Sequence, residues 1–274
     1  MAIITIYQGA SGSGEELAEA VAQALGYGCV SREVLIQASL RYGIPEAKLN
    51  EITERETHWW QRFLHDLKPY RLALQAAFCE IAENSSGIVY HGHLGHELLP
   101  HLQHVIKILL TAPLAIRVEQ VRQRQNLSEA AARAYIDEVD KARTRRLKAL
   151  FNTDWRDPSR YDLVVNLGRM SVDSAKHLIV ETTRLADYQS TANSKQEFTD
   201  FSLASRVRAD LALSQHLAGA MIDVEAKNGR VSVSGIVPRW IDEQSIVDRI
   251  KQVHGVKDVK SDLESAPLDM SFGT

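Results

Sequence analysis

The feature that most constrains this chain is an alternation of short, nearly continuous apolar runs with helical patterns. The runs are "IITIY" (3–7), "GIVYH" (87–91), "HVIKILLT" (104–111) and "YDLVVN" (161–166), with a weaker one, "YGCV" (27–30). A strand with one wet face would alternate apolar and polar residues, so these runs predict strands covered by helices on both faces. Between them, residues 15–25 are rich in Ala and Glu, 32–41 begin "REVLIQASL", and 58–84 carry apolar residues at helical spacing. In "LSEAAARAYIDEVDKARTRRLKALF", Ser128 supplies an N-cap before a long helix. The order predicts an α/β domain of three layers with a mostly parallel sheet.

Beyond residue 187 the pattern changes. Residues 188–201, "YQSTANSKQEFTDF", are polar without a sustained apolar period and read as a linker. "SLASRVRADLALS" then reads as a helix, and "AMIDVEAKNGRVSVSGIV" alternates on either side of Asn228-Gly229, a dipeptide suited to a type I′ hairpin turn. A helix over 239–253 and a strand over 256–264 complete a small α-β-β-α-β unit. About 65 residues suffice for one core against a three-stranded sheet. The expected division is a first domain over 1–187, a linker over 188–201, a second domain over 202–265 and a disordered tail from 266.

The first strand runs into Gly9-Ala-Ser-Gly-Ser-Gly14, which has the frame of a Walker A loop before a helix. Gly9, Ser11, Gly12, Ser13 and Gly14 are the candidate phosphate-binding residues, since their backbone N–H groups and the helix dipole favour an anion. The usual frame continues with a lysine for the phosphates and a hydroxyl for magnesium. Here those positions hold Glu15 and Glu16, and the first basic residue is Arg32. Two unit charges ~4 Å apart interact by roughly 4 kcal/mol at an effective dielectric of 20, so the exchange weakens nucleotide binding unless both acids point away. Carboxylates in a helix's first turn also have a structural use, because they stabilise its dipole.

"GASGSG", "LGYGCVSREVL" and "ILLTAPLAIRVEQVRQRQNLSEAAARAYIDEVDKARTRRLKALFNTDWRDPSRYDLVVN" together resemble the cytidylate kinase-like family of P-loop nucleoside monophosphate kinases, over about residues 1–185. The resemblance implies ATP and Mg2+ at the loop, a nucleoside monophosphate opposite, and arginines of a lid that stabilise the moving phosphoryl group. It assigns Arg117, Arg122 and Arg124 to the lid, and Asp140 and Arg143 to an acid–arginine motif that contacts nucleotide. Arg32 falls on the acceptor side, and His93 stands where relatives carry an arginine. Arg133, Asp140 and Arg143 are spaced to share a helix face. Asp140 and Arg143 are equally compatible with an ordinary i,i+3 surface pair. Residues 202–264 resemble a BON domain, a ligand- or surface-binding module, through "IDVEAKNGRVSVSGIV" and "IKQVHGVKDVKSDL".

Other features narrow the function. Five of the ten histidines, His91, His93, His96, His101 and His104, fall close together, but in no standard metal spacing. They suit loop histidines or an acceptor-site lining as well as a metal, and no metal ligand set is assigned. Trp59 and Trp60 point to different faces of a helix, one for the core and one for a base or a second subunit. A net charge of −3 argues against a nucleic-acid-coating protein. Isolated Cys29 and Cys79, no signal peptide and no apolar run of spanning length fit a cytoplasmic protein without a transmembrane segment. Three readings stand: a kinase using its lid arginines in place of the lysine, an impaired kinase fold sensing a nucleotide or other phosphorylated small molecule, or a scaffold. A homo-oligomer is compatible with each.

Overall fold

The structure, a computed structural model, describes residues 2–10, 13–53, 67–92 and 94–266. Trp59 and Trp60 lie outside the described residues, as does the tail from 267 onward. In chain order the first part comprises β1 (Ile3–Gln8), α1 (Gly14–Leu25), β2 (Gly28–Val30), α2 (Glu33–Tyr42), α3 (Glu46–Thr53), α4 (Leu67–Glu83), β3 (Ile88–His91) and α5 (Gly95–Leu98). It continues with β4 (Val105–Thr111), α6 (Leu114–Gln125), α7 (Glu129–Phe151), β5 (Leu163–Asn166) and α8 (Val172–Thr182). Ser128 caps α7 by accepting from the Ala131 N–H at 3.2 Å.

Five strands form one sheet in the order β2-β3-β1-β4-β5, and every pairing is parallel. The period of two sends Ile3 and Tyr7 to one face, against Phe78, Ile88, Val105 and Leu109. Ile4 and Ile6 go to the other, against Leu17, Val21, Ile106, Ile108 and Ile179. Both faces of β1, β3 and β4 are thus buried under helices, which is why those strands read as unbroken apolar runs, while the edge strands β2 and β5 are partly exposed. Chain order reverses at β1, whose neighbours are β3 and β4. In open α/β sheets the crevice beyond the carboxyl ends at such a reversal is where ligands bind, and the glycine-rich loop leaves β1 there.

Residues 192–201, expected as linker, are instead the first half of a long helix, α9 (Ala192–Ala212). Thr191 and Ser194 cap it reciprocally at 3.0 Å each. The helix lacks a legible apolar stripe because small residues meet α4: Ala209 packs on Leu72 and Ala76. Ser202 Oγ and Arg206 Nη1 both donate to Glu83 Oε2 at 2.8 Å. Phe198 lies in the core of the large sheet. Leu203, Val207 and Leu211 enter the core of a second sheet. One helix serves two cores.

That second sheet contains β6 (Met221–Lys227), β7 (Arg230–Val237) and β8 (Asp258–Ser265), with α10 (Glu243–Lys251) across it. β6 and β7 are antiparallel, and β7 and β8 parallel. Asn228 and Gly229 make the hairpin turn with φ of 54° and 85°, both left-handed as the sequence predicts. Ala266, expected at the start of the tail, is ordered: its N–H donates to Val237 O at 2.9 Å, and only 2% of it is exposed.

Phe198 is the apolar anchor by which α9 holds the large domain. Phe198→Ala should therefore cost about 3–5 kcal/mol, the usual toll of an unfilled aromatic cavity, in a urea titration. A loss below about 1 kcal/mol would show that α9 is not seated on the large core.

Candidate functional site

The loop begins where Gln8 closes β1. Ser13 precedes α1 but its side chain does not cap that helix. The first N–H groups of α1 therefore have no side-chain acceptor from Ser13, and with the helix dipole they favour one phosphate oxygen cluster. Glycine at 14 has a local cause: a Cβ there would lie 2.5 Å from the Gln8 side chain, which fills the space under the helix start. A Cβ on Gly9 would meet Arg117 Nη2 at 3.0 Å, Asp140 Oδ1 at 3.1 Å and Trp155 Cη2 at 3.2 Å. These glycines make room for the protein's own side chains. Ser11 and Gly12 lie outside the described residues. Glu15 and Glu16 occupy the first turn of α1, both exposed.

Two helices reach the loop from the lid side. Arg117 on α6 donates through Nη2 to both Asp140 oxygens, at 2.8 and 2.7 Å, and through Nε to Ala10 O at 3.0 Å. Asp140 on α7 accepts from the Ala10 N–H at 2.9 Å. Both polar groups of the Ala10 peptide unit are therefore held by one charged pair. One turn further along α7, Arg143 donates to Gln8 O. Burial pulls its pKa below the usual arginine value, opposed by Tyr7 and Asp140. Asp140 and Arg143 are both directed at the loop, which decides against an ordinary surface pair. Gln120 Nε2 adds a bond to Ser13 Oγ at 3.2 Å.

The remaining expected residues lie elsewhere. Arg122 is exposed and pairs with Glu119 on its own helix at 2.8 Å, and Arg124 is exposed on the same helix. Neither is brought into the Arg117–Asp140–Arg143 group. Arg133, expected on the face of Asp140 and Arg143, is exposed and pairs with Glu129. Arg32 donates to Glu46 Oε1 from both Nε and Nη2, at 2.8 and 2.5 Å. His93 is outside the described residues.

The histidine cluster resolves into separate environments. Among the described residues no three His, Cys, Asp or Glu side chains converge as a metal site would require. His91, at the end of β3, has its pKa lowered by burial. His104 is buried against Ser194 Oγ at 3.0 Å. His96 is 1% exposed, edge-on to Tyr7 at 4.6 Å and stacked on Tyr161 at 5.1 Å. Among the described residues neither of its ring nitrogens has a hydrogen-bond partner, and the Glu97 carboxylate at 3.6 Å is too far to supply one. Burial, with Lys107 and Arg160 nearby, pushes its pKa down to about 3, so the ring is neutral.

Trp155 joins Tyr7 at 5.5 Å and is locked by donating from Nε1 to Thr144 Oγ1 at 3.0 Å. Tyr7, His96, Trp155 and Tyr161 form an aromatic floor behind the loop. Sequence reasoning quoted Trp155 within a motif but gave it no role. Gln8, Gln120 and Tyr7 carried no signal, since only folding brings them to the loop.

The family model described as "Cytidylate kinase-like family" matches residues 3–169, well over half of the chain, and that of the BON domain matches residues 199–267. The chain belongs to the cytidylate kinase-like family. A cytidylate kinase of Natronomonas pharaonis is 29% identical over 65% of this chain and 86% of its own length. One from Methanopyrus kandleri is 38% identical over 32% of this chain and 45% of its own length. The chain thus spans less than half of that archaeal relative. Among solved structures, an uncharacterized protein from Eubacterium ventriosum shares the fold, with a TM-score of 0.52 at 19% identity, over 67% of this chain and 98% of its own. The resemblance to the family and to a BON module therefore holds, as does the parallel sheet with a separate small sheet. No helix among the described residues is long and apolar enough to cross a membrane.

Positions 15 and 16 offer no cation and no hydroxyl. The two nearest arginines are already engaged with Asp140, Ala10 and Gln8.

The neutral His96 gives the site a pH signature. Its folded pKa of about 3 lies below the 6.5 of an ordinary histidine, so the unfolded chain binds the extra proton between those values. Its contribution to stability is complete above about pH 6.5 and is lost as pH falls toward 3. His96→Phe should flatten the decline of the urea midpoint between about pH 6 and pH 4. Equal slopes in both proteins would remove His96 from the account.

Proposed function

We propose that this member of the cytidylate kinase-like family binds a nucleotide phosphate at the loop of residues 9–14 without transferring phosphate efficiently. Its kinase-like part then acts as a sensor of a nucleotide or other phosphorylated small molecule, joined to the BON module through α9. The observation that carries this reading is the engagement of both nearby cations. Arg117 is held by Asp140 and Ala10 O, and Arg143 by Gln8 O.

Kinases of this family use ATP and Mg2+, and phosphoryl transfer consists of positioning and neutralising charge. Here the Walker A frame is degenerate, with Glu15 and Glu16 in the places of the lysine and the hydroxyl residue. Binding of one phosphate survives such a change, because helix N–H groups supply it. Transfer does not, because the developing negative charge meets carboxylates in place of a lysine. The substrate-side candidates Arg32 and His93 would orient a monophosphate, with Arg32 first released from Glu46. The proposed setting is the cytoplasm.

A second reading is favoured by the position of Arg117. It lies at the loop already, and a lid movement that broke its pair with Asp140 would present it to a phosphate. In that case Arg117, Asp140 and Arg143 carry the chemistry, with Arg122 and Arg124 closing from the lid, and the protein is a nucleoside monophosphate kinase.

Phosphoryl transfer from Mg-ATP to CMP, dCMP, UMP and AMP separates the readings. The natural chain should show no turnover above background, while Glu15→Lys should gain activity by about tenfold or more, equivalent to ~1.4 kcal/mol of barrier. Robust turnover by the natural chain, lost in Arg117→Ala, would establish the second reading in place of the first.

A further inference from the structure

A second basic site lies away from the loop. A cavity of about 830 Å³ opens between α4, the end of α7, α9 and β6. Lys68 and Arg71 of α4 and Arg208 of α9 line it, beside Phe151, Phe201, Leu213 and Ile222. Arg71 packs on the Phe151 ring, 5.5 Å from its centroid, and donates to Leu150 O at 3.4 Å. Arg208 donates to Val224 O. Among the described residues neither guanidinium has a carboxylate within ion-pair distance, whereas three other arginines near the two cores do. Arg206 has Glu83, Arg160 has Glu97 and Arg249 has Asp210.

The acids near the cavity offset this charge only in part. Glu97 is bound through both oxygens by Arg160 at 2.5 Å. Asp223 lines the wall without pairing to either arginine. Burial lowers the pKa of both arginines; at Arg208 the carboxylates of Asp223 and Glu225 oppose the effect and Arg71 adds to it, so the two guanidinium groups lie within electrostatic reach of each other. A half-buried guanidinium keeps several N–H donors beyond the one spent on a carbonyl. Two of them facing one cavity match the oxygens of a phosphate. The neighbouring Phe151 and Phe201 suit a ring or an apolar group carried by that phosphate, and the volume lies within the range of small-molecule sites.

We propose that this cavity binds a small phosphorylated ligand with a ring or apolar moiety, its phosphate held between Arg71 and Arg208. Because one arginine comes from α4 and the other from α9, the ligand bridges the kinase-like part and the helix shared with the BON module. This site is distinct from the loop at residues 9–14 and does not depend on the loop's occupancy.

Isothermal titration of the full chain with pyrophosphate and with CMP, at low salt, tests the proposal. A saturable site should appear that Arg71→Gln and Arg208→Gln each weaken by at least about tenfold, ~1.4 kcal/mol. Arg143→Gln, which alters only the loop, should leave it in place. Ala218→Trp places a large ring in the cavity wall while leaving both arginines in the sequence and should also abolish binding, so it decides the matter if an arginine variant misfolds. No saturable binding of either probe, or binding lost with Arg143→Gln and kept in the cavity variants, would overturn the proposal.

Discussion

The clasp of Asp140 and Arg117 on the Ala10 peptide unit is the interaction on which the site depends. Two hydrogen bonds join α6 to α7 and two more tie both helices to Ala10 just beyond β1, all between 2.7 and 3.0 Å. Both side chains are largely shielded, with 15% and 20% exposure, so the pair is less screened than one on the surface. It also sets the charge at the loop. A carboxylate already accepts one loop N–H, and the arginine that offsets it is paired with that same carboxylate. Glycine at 9 follows from the same contact, since any Cβ would crowd both partners.

The second organising element is α9, because it belongs to two cores at once. Phe198 is buried with the large sheet, and Val207 and Leu211 with the small one. Glu83 accepts from both Ser202 and Arg206 and so fixes the helix in rotation as well as position. A ligand that moved α4 would move α9, and through it the floor of the BON sheet. That gives the sensor reading a physical route, since the coupling element is a rigid helix with contacts on both sides.

Much of this was legible from residue patterns. Continuous apolar runs marked the parallel strands, Ser128 marked the start of α7, and Asn228-Gly229 marked the hairpin. The first half of α9 was not legible, because within 192–201 only Ser194 and Phe198 are buried, too few to leave an apolar period. The site was legible only in part. Asp140 and Arg143 were singled out with Arg117 by resemblance, and all three meet at the loop. Arg122 and Arg124 come from the same basic stretch, yet helix rotation turns them to solvent. Gln8 and Trp155 gave no usable signal, because their proximity to Gly14 and Gly9 arises from tertiary packing. The cavity between α4 and α9 was equally hidden, since Arg71 and Arg208 are far apart in the chain.

The central claim is that Asp140 holds Arg117 away from any incoming phosphate. The most direct test is the affinity of the full chain for ATP, measured by calorimetry, before and after Asp140→Asn. Removing the negative charge at the loop and releasing Arg117 should strengthen binding by about fivefold or more, ~1 kcal/mol. Unchanged or weaker binding in a folded Asp140→Asn protein would contradict the account and make Asp140 a partner of the nucleotide rather than its competitor.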